Sequence, residues 1–395
     1  MKPGSLAGTA LLTALVAIGS FSVSIYTPSM PALVADFHTR PAMVKLTLSL
    51  FLVGFAVAQL VYGPLSDRFG RRPVLVGGLA IYVIGSLACV AAPSIEAMIA
   101  ARFLQALGAC AGPVLGRAVV RDVHGREGTA RVLAWIGAAT TLSPAIGPTL
   151  GGSIHVWFGW RGNFVLLAVF GAVLLATTWR LLGETNRQLD PAAVRLAPMA
   201  GNYHRLLTDR RYLGYMLSGS CIYAGLYAWI AAAPFLFVDR LGFAPDYYGA
   251  LTIITTGSYV GGSVTAARLT PAVGLDRMIL IGCALAVVGA AAMNVLALAV
   301  ALSAAALLGP MMLFSFGMGL TLANALAGGL LPYPRMAGAA SALLGFAQMA
   351  LAAVATGLVA ALPPLSAVSM SSVILLLAAG GLVSQAGLIG GKSRA

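Results

Sequence analysis

Long apolar runs separated by short charged clusters form the main pattern along this chain. Nine runs contain no Asp, Glu, Lys or Arg: 3–35, 46–66, 73–95, 132–160, 162–179, 212–238, 247–267, 278–334 and 336–391. The last two are 57 and 56 residues long, the length of a helical hairpin. A tenth segment, 96–120, starts at Glu96 and is interrupted after it only by Arg102 and Arg117. Because a membrane span needs about 20 apolar residues, seven single runs, two double runs and this segment predict twelve spans.

These spans are predicted to be helices. Alternating apolar and polar segments of about ten residues, which mark membrane barrels, are absent from the sequence. Backbone groups in lipid must also be satisfied within each segment. One long polar stretch, 183–211, follows the sixth predicted helix and precedes the seventh. We therefore predict an all-α integral membrane protein of twelve transmembrane helices, with two pseudo-symmetric six-helix bundles at 1–182 and 212–395 joined by this linker.

The charged residues add an orientation to this picture. Only 9% of the residues are charged, against about 25% in soluble domains. The net charge of +13 is spread over short clusters at the ends of apolar runs, without a basic stripe between aromatics. We therefore expect anionic lipid, and no nucleic acid, as the partner of these cations. Of the 24 Lys and Arg residues, 19 fall on one side, which predicts that both termini and 183–211 are cytoplasmic.

The sequence shows no pattern for metal or cofactor chemistry. Cys89, Cys110, Cys221 and Cys283 lie inside apolar runs and form no CxxC pair, which is typical of buried small side chains. The four histidines are scattered. A membrane enzyme would need convergent Asp, Glu or His side chains near one interface, and neither such a cluster nor a GxxxxGK loop occurs. We expect no metal, no cofactor and no enzymatic activity.

The segment Gly63–Arg72 concentrates charge between two apolar runs. Gly63 and Gly70 allow close backbone approach and turning, and Pro64 is expected to mark the end of the second helix. Asp67 is the only acid among three arginines, Arg68, Arg71 and Arg72. It can cap a neighbouring helix N-terminus or pair with an arginine, which would lock one packing of helices. The alternative is a positively charged anchor without a gating role.

The fifth predicted helix has its own signature. Pro144 and Pro148 remove backbone donors and bend a helix. Gly147, Gly151 and Gly152 let a neighbouring helix approach closely. We predict a kinked, tightly packed seam, with ordinary small-residue packing as the alternative.

Arg102 lies inside the fourth predicted span, where a charge is costly unless it faces a cavity or a partner. Gln105, one turn along, could share its hydrogen bonds. Arg102 could instead extend outward to the membrane surface. A cavity near the midplane between the two halves is expected, and its candidate lining also includes Tyr26, Tyr223, Tyr227, Trp229, Asn324 and Gln348. Aromatic faces suit flat, drug-like molecules, although each of these residues is more often a packing residue.

Several motifs together carry a family resemblance. The stretch Gly63–Pro73 closely resembles the loop between helices two and three of the major facilitator superfamily. Ile25–Pro31, followed by Asp36 and Phe37, is similar to the end of helix one in drug exporters of that family. Arg102–Gly108, continuing to Arg121 and Asp122, resembles its helix-four motif.

The later motifs narrow the resemblance. Ser143–Pro148 with Gly151 and Gly152 resembles the helix-five "antiporter" motif. Ala337–Ala342 with Gln348 is similar to helix eleven of the bicyclomycin/chloramphenicol-resistance (Bcr/CflA) branch. The resemblance implies a monomeric drug:proton antiporter of the bacterial inner membrane that exports small amphipathic drugs or metabolites by alternating access.

The resemblance also implies roles for the motif residues. Asp67, Arg68 and Arg72 would hold the cytoplasmic side shut in the outward-facing state, with Asp122 as a partner for their loop. The helix-five seam would bar leakage and favour export. Arg102 would act in coupling or in substrate binding.

One position departs from the family pattern. Relatives usually carry an acid in helix one just before the tyrosine-proline segment, where this chain has Ser24, and no acid occurs in 3–35. Asp36, at the outer end of that helix, is the remaining candidate for proton coupling, or else an interfacial cap. Exchange of a cationic substrate, uniport, and a same-fold facilitator or importer of a specific metabolite therefore stay open.

Overall fold

The computed structural model describes residues 6–123, 126–186, 189–191, 193, 196–362 and 366–389. Their regular structure is helical, without a strand in these ranges. The α-helices are α1 (Leu6–Ser24), α2 (Met30–Asp36), α3 (Pro41–Phe69), α4 (Arg71–Val90), α5 (Ile95–Ala109), α6 (Ala111–Val123), α7 (Arg126–Leu181), α8 (Leu196–Thr208), α9 (Arg210–Pro234), α10 (Pro245–Val273), α11 (Leu275–Ala299), α12 (Ala304–Leu330), α13 (Ala337–Ala361) and α14 (Ala367–Leu388). Short 3-10 turns at Thr27–Ser29 and Pro334–Met336 and a π turn at Phe235–Arg240 interrupt or extend them.

The predicted number of spans is confirmed. Ten helical stretches of the described chain are long and apolar enough to cross a membrane. One of them, Trp135–Leu181, is broken at Gly159, whose φ of 69° and ψ of 179° are not helical, so it holds two helices. The 29-residue α10 completes twelve. The two long apolar runs are hairpins, α11–α12 and α13–α14, as expected.

Large apolar side chains remain exposed along the spans. Val57, Ile84, Val169 and Leu376 have 48%, 58%, 55% and 67% of their surface exposed. A soluble protein rarely exposes so many large apolar side chains, whereas lipid chains cover them in a membrane. The exposure therefore agrees with helices that contact the bilayer.

The chain divides into two compact units. The first holds Met1–Arg40, Leu50–Leu196 and Pro245–Gly249, and the second holds Pro41–Ser49, Ala197–Ala244 and Ala250–Ala395.

Glycines let helices pack backbone to backbone inside each unit. In the first unit, a Cβ on Gly108 of α5 would overlap the backbone of Tyr82 in α4. In the second, a Cβ on Gly317 of α12 would overlap the carbonyl of Gly282 in α11. Small residues at such crossings are the usual way to pack helices in lipid.

Three details differ from the sequence-based predictions. The second helix does not end at Pro64, because α3 continues through it to Phe69. The linker 183–211, for which no secondary structure was predicted, contains α8, whose Leu206 is fully buried beside Tyr212. Lys45, expected in an outer loop, lies inside α3 with 3% exposure, and its Nζ donates to the carbonyl of Val359 at 3.3 Å.

Part of the predicted orientation rests on residues that the structure does not describe. Five of the cations counted on the cytoplasmic side lie outside the described residues: Lys2, Arg187, Arg195, Lys392 and Arg394.

Candidate functional site

A glycine turn joins α3 to α4; residues 66–72 are called the Gly70 turn below. Gly70 has φ 97° and ψ 154°, and its N–H donates to the carbonyl of Ser66 at 3.1 Å. This backbone region is open almost only to glycine. A Cβ at Gly70 would also overlap the carboxylate of Glu184. The two constraints explain why the turn requires glycine at this position.

Arg71 is the centre of the charged contacts at the Gly70 turn. Its Nη1 donates to Asp67 Oδ1 at 2.5 Å and to Ser66 Oγ at 2.6 Å. Its Nε donates to Asp122 Oδ2 at 3.1 Å. The Arg71 side chain is only 14% exposed, so both ion pairs are partly shielded from solvent. One guanidinium therefore ties the end of α3 to the end of α6.

Glu184 caps the N-terminus of α4. Its Oε1 accepts from the backbone N–H of Arg71 at 2.9 Å, and its Oε2 accepts from that of Arg72 at 3.1 Å. The N–H groups of Thr185 and Asn186 also donate to Oε1. Partial burial alone would raise the pKa of this carboxyl, but the four backbone hydrogen bonds outweigh it and hold the pKa below its usual value. An anion here also interacts favourably with the helix dipole.

From the sequence, capping is one of two alternative roles expected for Asp67, and no local pattern marks Glu184 as a cap. The available signal was an acid placed three residues after Leu181, where α7 ends. The partner of that acid is 113 residues away in the chain, and sequence alone does not give such a pairing.

The other residues of the 63–72 segment have different contacts. Arg68 lies over the ring of Phe69 at 4.9 Å, and Arg72 Nη2 donates to the carbonyl of Trp179 at 2.7 Å. The arginine that pairs with Asp67 was left open by the sequence, and in the structure it is Arg71. No atom lies within 4 Å of a Cβ built on Gly63, so the close approach expected there is wrong.

Helix α7 packs closely against the end of α1. Pro144 and Pro148 both lie inside α7. A Cβ on Gly147 would overlap Ser24 Oγ, and one on Gly151 would overlap the carbonyl of Ile25. One on Gly152 would overlap the carbonyl of Pro245, which starts α10 and belongs to the same unit. We call these three glycine contacts the α7 seam.

The hydroxyl of Ser24 fits the seam as a donor. Its Oγ donates to the carbonyl of Ser143 at 3.1 Å and to that of Ser20 at 3.0 Å, while Gly147 makes room for it. An ionised carboxylate only accepts hydrogen bonds and could not replace these contacts. At the position where relatives usually carry an acid, the neighbouring groups of this chain therefore suit a hydroxyl group and not a carboxylate.

Arg102 is fully buried, with 0% exposure. Its Nη1 donates to the carbonyl of Ser22 at 3.2 Å and to Gln105 Oε1 at 2.5 Å. The ring centroids of Tyr26 and Phe51 lie 4.2 Å from its Cζ. Such contacts stabilise a desolvated cation. The alternative that this side chain extends outward to the membrane surface is wrong.

A chain of hydrogen bonds fixes the group that faces Arg102. Gln105 Nε2 donates to Ser86 Oγ at 2.8 Å, and Ser86 Oγ donates to the carbonyl of Tyr82 at 2.8 Å. The hydroxyls of Ser22 and Tyr82 are 2.7 Å apart. With its amide nitrogen held in this way, Gln105 presents its oxygen to Arg102. Sequence reasoning found Gln105 but missed Ser22, Tyr82 and Ser86, because single hydroxyls in apolar helices carry no distinctive pattern.

Asp36 lies at the end of α2 and is engaged by a neighbour. Trp160 Nε1 donates to Asp36 Oδ2 at 2.6 Å, and the ring of Phe37 lies 5.3 Å from that of Trp160. This geometry agrees with an interfacial structural role more directly than with a mobile proton carrier.

The remaining candidate cavity residues belong to the second unit. The hydroxyls of Tyr223 and Tyr227 are 3.2 Å apart, so these two form a pair. Trp229 is 4% exposed and packs edge-on against Phe237. Asn324 is also buried: its Oδ1 accepts from Thr270 Oγ1 at 3.2 Å and its Nδ2 donates to the carbonyl of Leu320 at 2.8 Å. Gln348 is half-buried on α13.

Comparison with known proteins identifies the family. A family model described as Major Facilitator Superfamily matches residues 12–357. A bicyclomycin resistance protein homolog of Haemophilus influenzae is 28% identical over 348 residues, which cover 87% of this chain and 86% of the relative. The multidrug transporter MdfA of Yersinia pestis is 32% identical over 262 residues, or 66% of this chain and 64% of the relative.

The fold agrees with this assignment. The xylose transporter XylE from E. coli, solved in a partially occluded inward-open conformation, superposes with a TM-score of 0.76 over 97% of both chains. At 13% identity this likeness concerns the fold alone. Since the family model covers most of the sequence, this chain belongs to the Major Facilitator Superfamily and is a multi-pass membrane transporter, not an enzyme.

Proposed function

We propose that this transporter exports small amphipathic drugs or metabolites across the bacterial inner membrane by alternating access, in exchange for protons. Its two six-helix bundles would be 1–182 and 212–395, with both termini in the cytoplasm. The observation that carries the proposal is the α7 seam, where Gly147 and Gly151 bring Ser24 and Ile25 into direct contact with the helix. The relatives named for multidrug transport and bicyclomycin resistance support the substrate class.

The physical argument for export rests on sealing. A helix that carries two prolines and has no side chains at these three positions can follow its neighbours closely enough to leave no path for water or ions. An exporter driven by an ion gradient needs such a seal, because leakage dissipates the gradient that drives it. The motif that these residues resemble is associated with export for this reason.

Export can be measured directly in inverted membrane vesicles. With the vesicle interior acidified, an exporter takes up amphipathic dyes and antibiotics from outside, and a panel of such compounds identifies those that move. The matching growth test is an antibiotic panel in a host without its own pumps, with and without a protonophore. Uptake that fails for the whole panel, with normal expression of the protein, argues against export.

The seam itself is tested by a matched pair of variants. Gly147→Leu should abolish uptake, because the added side chain would collide with Ser24. Gly137→Leu is the control on the same helix, since no atom lies within 4 Å of a Cβ built there. Equal activity of the two variants, at equal expression, would show that the seam does not matter for transport.

A facilitator without proton coupling is the second candidate function. The buried charged side chains of the described residues are Lys45 and Arg102, and neither is a carboxylate that could carry a proton inward. A protonophore separates the two candidates. Uptake that collapses when the pH gradient is removed supports antiport, and uptake that continues down the concentration gradient supports the facilitator.

A further inference from the structure

The guanidinium of Arg102 uses only one of its three nitrogens for hydrogen bonds. Nη1 donates to the carbonyl of Ser22 and to Gln105 Oε1. Nε and Nη2 are buried and have no hydrogen-bond partner. Three of the five N–H donors of this side chain are therefore left unused in a fully buried position.

The two unpartnered nitrogens form one recognition edge. In a planar guanidinium, the N–H of Nε and one N–H of Nη2 point in parallel to the same side. This pair matches the two oxygens of one carboxylate, phosphonate or phosphate group. The rings of Tyr26 and Phe51 lie close to Cζ, and Nη1 is held by Ser22 and Gln105. The free edge therefore has a fixed orientation.

The described part of the chain supplies no counter-ion for this charge. Its three ion pairs are Arg71–Asp67, Arg71–Asp122 and Arg211–Asp276, and Arg102 is in none of them. A buried cation without a counter-ion is unfavourable, and aromatic rings compensate for only part of the lost hydration. The surroundings of Arg102 therefore repel a cationic ligand and favour an anionic one.

We propose that the Nε/Nη2 edge of Arg102 binds the anionic group of the transported compound, a carboxylate or phosphonate carried by an amphipathic molecule. The site is an organic-anion site, and cationic compounds are its poorest ligands. The inference rests on the proposed function, because the ligand it describes is the exported substrate. The guanidinium is fully buried in this conformation, so binding requires the change between transport conformations that alternating access provides.

The test uses three probes with the same flat body and different charge: 2-naphthoate, 2-naphthamide and 2-naphthylmethylammonium. Binding to the purified full chain in lipid nanodiscs is measured by calorimetry. We expect 2-naphthoate to bind about tenfold or more tightly than the amide, since a charge-assisted bidentate pair replaces a neutral contact. The ammonium probe should bind weakest.

Variants assign the preference to the guanidinium edge. Arg102→Gln should remove the preference for naphthoate over naphthamide. Arg102→Lys keeps the charge without the fork and should retain only part of the preference. Arg180→Gln, at an exposed arginine near the end of α7, should bind like the wild type. Size-exclusion profiles and thermal unfolding verify that each variant folds. If Arg102→Gln does not fold, Arg102→Lys and the wild-type probe series still show whether the guanidinium edge selects the anion.

Several results would overturn the anion site. They are equal affinity for naphthoate and its amide, absence of saturable naphthoate binding, and a preference that survives Arg102→Gln. Competition by chloride or inorganic phosphate as strong as that by naphthoate would identify an inorganic-ion site and would overturn the substrate role.

Inverted vesicles separate this inference from the proposed function. If naphthoate binds through Arg102 and no compound of the panel, naphthoate included, is taken up, export is overturned and the anion site remains. Uptake of neutral or cationic dyes without any dependence on Arg102 would support export and overturn the anion site.

Discussion

Two glycine turns, one in each unit, have the same backbone and different surroundings. Gly70 between α3 and α4 has φ 97° and ψ 154°, and Gly274 between α10 and α11 has φ 90° and ψ 151°. Each glycine N–H donates to the carbonyl four residues earlier, Ser66 at 3.1 Å and Thr270 at 2.9 Å. The two halves of the chain therefore repeat one way of connecting antiparallel helices.

The side chains around the two turns differ. Gly70 lies against the carboxylate of Glu184, and the neighbouring Arg71 forms ion pairs with Asp67 and Asp122. No atom lies within 4 Å of a Cβ built on Gly274. Asp276, two residues on, accepts from Tyr215 Oη at 2.5 Å and from Arg211 Nη2 at 3.3 Å. The backbone turn is common to both halves, and the compact ion cluster is specific to the first, so the cluster is the better candidate for a gating device.

The largest expected effect comes from the glycines themselves. Gly70→Ala imposes backbone strain of about 1–3 kcal/mol and also displaces the Glu184 cap, which adds about 1 kcal/mol. Gly274→Ala imposes the strain alone. Thermal unfolding in detergent and vesicle uptake should both show the Gly70 variant as the more damaged of the two. Equal losses would mean that the Glu184 contact adds nothing to the turn.

Replacing the arginines gives the next effect. Arg71→Gln leaves the carboxylates of Asp67 and Asp122 without their shared cation, and we expect a loss of about 2 kcal/mol in stability together with slower uptake. Arg211→Gln breaks a pair whose arginine is 63% exposed, which is worth about 0–1 kcal/mol. Chemical denaturation compares the two directly. If Arg211→Gln destabilises the protein as much as Arg71→Gln, the ion pairs of the two halves do not differ in their contribution to stability.

Replacing a single acid, Asp67, tests gating with little change in stability. Asp67→Asn leaves Arg71 paired with Asp122, and the Asp67 side chain is 47% exposed, so stability should fall by less than about 1 kcal/mol. Turnover should nevertheless fall sharply if the pair locks one conformation. Asp276→Asn is the matched change in the second unit and should leave turnover close to wild type. Unchanged transport in the Asp67 variant would reduce the cluster to a structural or topological role.

The sequence predicted the backbone of these regions better than their contacts. The number of spans, the α7 seam glycines and the turn at Gly70 follow from local signals, namely apolar run length, glycine and proline. The capping of α4 by Glu184 and the hydrogen bond from Arg102 to the Ser22 carbonyl join residues 113 and 80 positions apart. Such pairings depend on how the helices pack, which local patterns do not specify. The sequence likewise left open which of Arg68, Arg71 and Arg72 pairs with Asp67, and the structure selects Arg71.

The smallest effect concerns pH and compares the acids that cap helices in the two units. Glu184 caps α4, and Asp209 caps α9 by accepting from the N–H groups of Arg211 at 2.8 Å and Tyr212 at 3.1 Å. Partial burial opposes ionisation of Asp209, but its hydrogen bonds, first that from Tyr333, hold its pKa below the usual value, as in Glu184. Burial, together with the hydrogen bond to Asp209, raises the pKa of Tyr333 to about 12.

A carboxyl whose pKa is lowered by folding contributes stability above its unfolded pKa, near 4 for Asp and Glu, and loses that contribution as the pH falls through the lower folded value. Each cap should contribute about 0.3–1 kcal/mol at low salt. Below about pH 4, wild type should therefore lose stability more steeply than Glu184→Gln or Asp209→Asn, and the double variant should show the flattest profile. Unfolding midpoints measured from pH 7 to pH 3 in low salt check this, with 0.5 M salt as the control that weakens the difference. Parallel profiles for all four proteins would mean that neither cap is ionised preferentially in the folded state.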